Sequence, residues 1–319
     1  MVGLTDMKVL SSQGYEMMSE MLAQYLEDFN TATAGAFVMS SARTAGDREV
    51  IADFKRIANL AKRRKAYDDS TAISSTKIEQ REKVAVKVGG RTDEILFTKN
   101  QFTWLQLNPD EADSLISQQL AQAMFQDMVN TSLASTRAAM VQNGSAVGYT
   151  VPSNGEASLS ALVSGAAKFG DRAQDVKVWV THSKPIFDIY QTALTNSSQL
   201  FNIGNVQVQQ DGFGRRFVIT DSPALATGSP LDYYMLGLTD GAITVKDEGT
   251  FDENLVRSNG VENIQNSYQA QWDYTLALKG YSFSKSIASP TDAQLITGSN
   301  WTKYAESDKF TAGVYVKAR

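Results

Sequence analysis

Cysteine is absent from the chain and histidine occurs once, at position 182. The first absence excludes disulfides and every thiolate metal site. The second argues against a zinc site, because carboxylates would have to supply nearly all of its ligands. No apolar run approaches the roughly 18 residues a membrane-spanning helix needs. Positive charge is not in excess either: 30 Lys and Arg stand against 35 Asp and Glu, a net charge of −5, where a dedicated nucleic-acid binder would carry a basic footprint. Asp6, Lys8, Glu16 and Glu20 interrupt the N-terminal segment, so no export signal is visible and the expected setting is a reducing cytoplasm. What is present, 319 residues of which 42% are hydrophobic, suffices for a core in one large or two modest domains and excludes a disordered chain.

Met18, Leu22, Tyr25, Leu26 and Phe29 follow the three-to-four spacing of an amphipathic helix, with Glu16, Glu20, Glu27 and Asp28 on other faces. Periodicity fades between Thr31 and Gly46. It returns through Val50, Ile51, Phe54, Ile57 and Leu60, which predicts a second helix ending in the basic run Lys62, Arg63, Arg64, Lys65.

From Ser74 to Leu105 the period becomes two. Ile78, Gln80, Glu82, Val84, Val86 and Val88 share one face, and Lys77, Glu79, Arg81, Lys83, Ala85 and Lys87 the other. Gly89-Gly90 breaks the pattern before a second β-rich run, Ile95 to Trp104, so the segment predicts a long two-stranded hairpin. A loop of Gly89 to Thr92 places Val86 opposite Ile95, Val84 opposite Phe97, Lys87 opposite Glu94 and Glu82 opposite Lys99, pairs of matched character. Such a ribbon lacks a second layer of its own, so those eight residues are the expected contacts with another molecule or with another part of this one.

Asn108-Pro109-Asp110-Glu111 is a helix start: a capping side chain, proline at the first helical position, acids in the first turn. Ile116, Leu120, Met124, Met128, Leu133 and Met140 carry an apolar surface onward to the stop at Asn143-Gly144, which predicts roughly 50 Å of helix. Beyond a Gly/Ser/Pro-rich linker, a short helix from Leu159 to Phe169 is expected, then strands at Val176–Val180, Val206–Val208, Arg216–Thr220, Leu231–Leu238 and Gly241–Val245, with a helix opening at Ser183-Lys184-Pro185. After a polar, acidic loop from Lys246 to Asn266, Tyr268, Ala270, Trp272, Tyr274, Leu276 and Leu278 alternate as one long strand. Trp301, Tyr304, Phe310, Val314 and Val316 indicate a docked tail.

Catalytic patterns are weak. His182 follows a strand and precedes a helix, a place where active-site residues occur and where a histidine equally caps the helix. No Gly-x-Ser-x-Gly elbow accompanies it. Asp247-Glu248 and Asp252-Glu253 suggest a glycosidase pair or divalent-ion site on one reading and a solvated loop on the other, without the EF-hand spacing. Gly212-Phe213-Gly214 opens no helix and is taken as a hairpin turn.

The order of these elements resembles the major capsid protein of tailed bacteriophages, the Hong Kong 97-like fold. The segments that carry the resemblance are Val178-Trp179-Val180-Thr181-His182-Ser183-Lys184, Gly214-Arg215-Arg216-Phe217-Val218-Ile219-Thr220-Asp221, Tyr234-Met235-Leu236-Gly237-Leu238 with Gly241-Ala242-Ile243, and Trp272 to Gly280. The resemblance implies an α+β fold with an N-terminal arm and first helices (1–69), an extended loop (70–106), a peripheral-domain spine helix (107–147), an axial α/β domain (148–262), and a peripheral-domain strand with C-terminal tail (263–319). It implies a self-assembling, cofactor-free subunit, without enzymatic turnover or membrane contact, of an icosahedral shell of hexamers and pentamers. That shell assembles in the bacterial cytoplasm, becomes the virion capsid and encloses double-stranded DNA touched non-specifically.

Expected partners are further copies of the chain, a separate scaffolding protein (too few residues precede the hairpin for a built-in one), a portal and a decoration protein. In some relatives a loop lysine is cross-linked to an asparagine; Lys83, Lys87 and Lys99 are the candidates, and solubilising lysines are the other reading. The alternatives are an encapsulin-like compartment shell and an α/β hydrolase-like enzyme using His182.

Overall fold

A computed structural model describes residues 4–44, 46, 48–54, 61–73, 75, 77–78, 80–98, 109–193, 197–203, 206–211, 216–259, 262 and 265–319. Its frame is a pair of long helices, α1 (Leu4–Ala32) and α2 (Pro109–Gln142), packed along each other. The spacing that predicts α1 also identifies its inner face: Met18, Leu22, Leu26 and Phe29 are buried. Phe29 meets Phe125 of α2 edge-on, ring centroids 5.3 Å apart, and lies 4.9 Å from the ring of Phe37. At the C-terminal end of α1, Arg216 Nη1 donates to the carbonyls of Thr31 (2.9 Å) and Ala32 (2.7 Å). Two orphan acceptors are thereby satisfied, with a positive charge at the negative end of the helix dipole.

The 34 residues of α2 rise about 51 Å. The helix begins at Pro109 and gives way at Asn143, where the sequence predicts both ends; Asn108 lies outside the described residues. Met124, Met128, Leu133 and Met140 are buried. Its length lets one helix touch strands of two separate sheets.

Strands are numbered along the chain. The first sheet orders β1 (Phe37–Ser41), β12 (Ile243–Asp247), β14 (Gln265–Leu278), β3 (Gln80–Arg91) and β2 (Arg48–Phe54), with β13 (Asp252–Ser258) and β4 (Ile95–Thr98) also on β14. The second orders β5 (Gly148–Thr150), β17 (Gly313–Ala318), β11 (Asp232–Thr239), β6 (Val176–Thr181), β9 (Arg216–Thr220), β8 (Val206–Asp211) and β7 (Ser197–Ile203), with β10 (Ala226–Thr227) on β11. Helices α3 (Leu159–Ala166) and α4 (Ser183–Ala193) accompany this sheet. A small ribbon pairs β15 (Tyr281–Phe283) with β16 (Trp301–Lys303), and α5 (Asp292–Leu295) lies between them in sequence. The aromatic tail is docked as its composition predicts: β17 is flanked by β5 and β11 inside the second sheet.

Three expectations are corrected. Val50, Ile51 and Phe54 lie on strand β2, not on a helix, while Ile57 and Leu60 fall outside the described residues. The supposed acidic loop between Lys246 and Asn266 contains β13, paired with β14 from Asp252↔Gln271 to Ser258↔Gln265.

The third correction concerns the hairpin. Gly89 and Gly90 are not its turn but lie within β3, opposite Asp273 and Trp272 of β14. Instead of pairing with each other, β3 and β4 succeed one another along the same edge of β14, Arg91↔Gln271 and then Ile95↔Tyr268. Four steps on one strand against three on the other make a one-residue bulge, where Thr92 N–H reaches the Ala270 carbonyl at 2.8 Å. The true partner of β3 on its other edge is β2, running from Arg48↔Val86 to Phe54↔Gln80.

Candidate assembly surface

Strand β2 closes the β2–β3 ribbon at the edge of the first sheet, and both faces of β2 reach solvent. Val50 and Ile51 are neighbours on β2, so they point to opposite faces, yet both are exposed, as is Phe54 at 71%. Along the connection between the strands, Tyr67 and Ile73 are almost wholly exposed, followed by Ile78. Apolar side chains exposed on both faces of an edge strand and along the connection that follows it, in a chain with a well-filled core, mark a candidate contact site.

The base of this ribbon is fixed by charge contacts with segments distant in sequence. Glu49 takes Lys246 Nζ at 2.6 Å, Glu82 pairs with Lys285, and the guanidinium groups of Arg48 and Arg81 donate to the carbonyls of Lys285 and Tyr304. Val84 N–H bonds Ser282 Oγ at 3.0 Å. The incoming strand is fastened by Glu248, almost fully buried, which accepts from Thr44 N–H at 2.5 Å and from the Thr275 hydroxyl. Burial pushes the Glu248 carboxyl upward, but the hydrogen bonds from Thr275 and Thr44 outweigh it and hold the group below its ordinary value.

The eight residues expected at a subunit contact separate in this geometry. Val84 and Val86 are buried within their own subunit, opposite Val50 and Arg48. Glu82 faces Ala52, and Lys87 pairs with Asp273 at 3.4 Å. Ile95 and Glu94 are exposed at the bulge, the backbone of Phe97 lies opposite Asn266, and Lys99 is outside the described residues. Val84 therefore sits across from neither Phe97 nor Ile95. Sequence reasoning missed Arg48, Arg81, Lys246, Ser282 and Lys285, whose partners lie far along the chain and leave no local signal.

The catalytic alternatives find little support in the geometry. His182 Nδ1 accepts from Lys184 N–H at 3.4 Å, the capping arrangement, and the same nitrogen faces Ser183 Oγ (3.4 Å) and Asp221 Oδ1 (3.6 Å). A relay needs the acid and the nucleophile on opposite ring nitrogens. Asp252 and Glu253 are each engaged separately, by Gln271 Nε2 at 3.1 Å and by the Tyr268 hydroxyl at 3.0 Å. Asp247 accepts from Gly249 N–H at 3.2 Å. Among the described residues no group of three or more His, Asp or Glu is placed to hold a metal, and no helix is long and apolar enough to cross a membrane.

One half-buried carboxyl bears on the joint between α2 and β14. Burial pushes Asp127 upward, Asp292 adds to the rise, and the nearby Tyr274, Trp272 and Thr131 only partly oppose it. The Tyr274 hydroxyl and the Trp272 indole N–H are buried without completing a hydrogen bond. A carboxyl raised in the folded state binds its proton more tightly there than in the unfolded chain, so its ionisation costs stability as pH climbs from the unfolded value through the folded one. Asp127→Asn is accordingly expected to melt higher than the unmodified protein at pH 7, with the advantage shrinking toward pH 3; equal melting temperatures across that range would contradict it.

A family model described as Gp13-like, major capsid protein 13-like, matches residues 6–315. No match to a curated protein is found. Among solved structures, the capsid of Myoviridae phage XM1 shares 7% identity over 90% of each chain, with a TM-score of 0.50. One from Mycobacterium phage Adephagia shares 10% identity over 90% of this chain and 89% of that one, TM-score 0.48. The Cyanophage Pam1 capsid asymmetric unit shares 8% over 90% and 91%, TM-score 0.48. At such identities the XM1 likeness speaks to the fold alone. The family match extends over nearly the whole length, including both long helices and both sheets, and the chain belongs to the Gp13-like family of major capsid proteins, a component of the phage capsid.

Proposed function

We propose that the chain builds an icosahedral phage head from hexamers and pentamers around double-stranded DNA, without enzymatic turnover or cofactor. A separate scaffolding protein, a portal and a decoration protein are its proposed partners, and packaged DNA is touched non-specifically. The observation that carries this reading is the series of exposed apolar side chains on strand β2 and along its connection to β3, in a member of a capsid family. Head-to-tail use of unlike faces closes such subunits into rings. The first sheet with α1 and α2 serves as the peripheral part and the second sheet as the axial part. The extended loop is the ribbon from Arg48 to Arg91 rather than the span 70–106, with Glu94 and Ile95 on the neighbouring bulge as further contacts.

The register correction changes the deletion that tests this. Removing Lys77 to Thr103 would delete β3, whose Val84, Ala85, Val86 and Val88 are core. Replacing residues 61–78 with a short glycine linker spares both strands. The expected product is a folded protein with an unchanged circular dichroism spectrum that forms no closed particles in negative-stain micrographs; normal particles would remove the loop from assembly.

A further inference from the structure

Charge in this chain is segregated. Glu16, Glu20, Glu27 and Asp28 are all exposed on α1. The first three fall within about 40° of one another around the helix, with Asp28 on their flank. Residues 9–42 contain no Lys or Arg to offset them. Lys62, Arg63, Arg64 and Lys65 are exposed in succession in the loop joining β2 to β3, and since the whole chain carries −5, everything outside that run carries −9. The sequence suggests a solvated helix end for the run; in the structure it lies in irregular backbone. Among the described residues none of these eight side chains makes an ion pair.

Like charges crowded together repel, and both groups gain from an opposite partner. We infer that the basic run 62–65 of one copy docks on the acidic face of α1 of a second copy. The dimensions suit each other: the acidic stretch of α1 spans about 18 Å, and four extended residues reach roughly 13 Å. Every copy carries both surfaces, one of each sign, and among the described residues neither is paired within the subunit. That is the requirement for a heterologous contact that repeats from copy to copy and closes into a ring. Exposed pairs of this kind steer association and choose partners more than they add affinity. The neighbouring Tyr67, almost wholly exposed, supplies apolar contact beside the charges.

The inference rests on the reading that the β2–β3 loop reaches a neighbouring copy, and charge exchange separates the two. The variant carrying Lys62→Glu, Arg63→Glu, Arg64→Glu and Lys65→Glu, and the variant carrying Glu16→Lys, Glu20→Lys, Glu27→Lys and Asp28→Lys, are each expected to lower particle yield about tenfold or more. Combining all eight substitutions is expected to restore it to within about threefold. If the combined variant stays as defective as either parent while the 61–78 deletion also blocks assembly, the loop reaches a neighbour but α1 is not its dock, and the inference is overturned. Normal yield from the basic-run variant, or normal shells that merely fail to retain DNA, would overturn it as well, the second outcome assigning the run to nucleic acid. Should the α1 variant fold poorly by circular dichroism, the unmodified protein supplies the test: its assembly is expected to weaken about tenfold between roughly 0.05 M and 0.5 M NaCl, and salt-independent assembly would overturn the pairing.

Discussion

Phe29→Ala is expected to destabilise the subunit by about 3–5 kcal/mol, read as a shift in the urea or guanidinium unfolding midpoint. Phe29 is fully buried where three elements meet, its ring against Phe125 of α2 and Phe37 of β1. Truncation removes its buried area and leaves a cavity bounded by two rigid rings and the backbone of α1. Phe29→Leu keeps most of the volume and is expected to cost less than about 1.5 kcal/mol. Pairing Phe29→Ala with Phe125→Ala should give a combined loss smaller than the sum of the two, because each ring removes part of the other's contact. Strict additivity would mean that the rings do not touch and that α1 lies elsewhere.

That α1 and α2 are legible in sequence follows from where their contacts lie. Met18, Leu22, Leu26 and Phe29 all bury on one side because a helix fixes their positions within its own local geometry, and Pro109 sets a start that needs no distant partner. Strand β14 is legible for a similar reason: Trp272, Tyr274 and Leu276 face the core while Gln271 and Asp273 do not, giving a clean alternation. Strand β2 is not legible, because Val50 and Ile51 are adjacent and both exposed, so alternation disappears and Val50, Ile51 and Phe54 happen to match helical spacing. The pairing of β3 with β14 joins residues almost two hundred positions apart, and nothing within the segment from Ser74 to Leu105 distinguishes that partner from β4. The contact surface is legible in part. Its location on an extended ribbon follows from composition, but its residues do not, since Val84 and Val86 turn inward and the exposed positions move to β2 and the connecting loop.

The two glycines that looked like a turn give the sharpest test of the corrected register. Gly90→Ala is expected to cost about 1–3 kcal/mol, because the added Cβ would stand 2.4 Å from Trp272 Nε1 and 2.5 Å from Cε2. That indole is almost fully buried, so it has little room to withdraw. The neighbouring Gly89→Ala meets only Asp273 Oδ1, at 3.2 Å, the end of a carboxylate able to rotate. It also lowers the conformational freedom of the unfolded chain, so its net cost is expected to stay below about 1 kcal/mol. The contrast comes from the pleat, which alternates faces along a strand: position 90 lies on the side of Trp272 and position 89 on the side of Asp273. In the four-residue hairpin loop from Gly89 to Thr92 both glycines would be solvated and neither substitution would meet an indole. Equal midpoints for the two variants in urea unfolding would therefore restore the hairpin; a deficit confined to Gly90→Ala, and relieved when Trp272 is replaced by a smaller residue such as valine, would place β3 against β14.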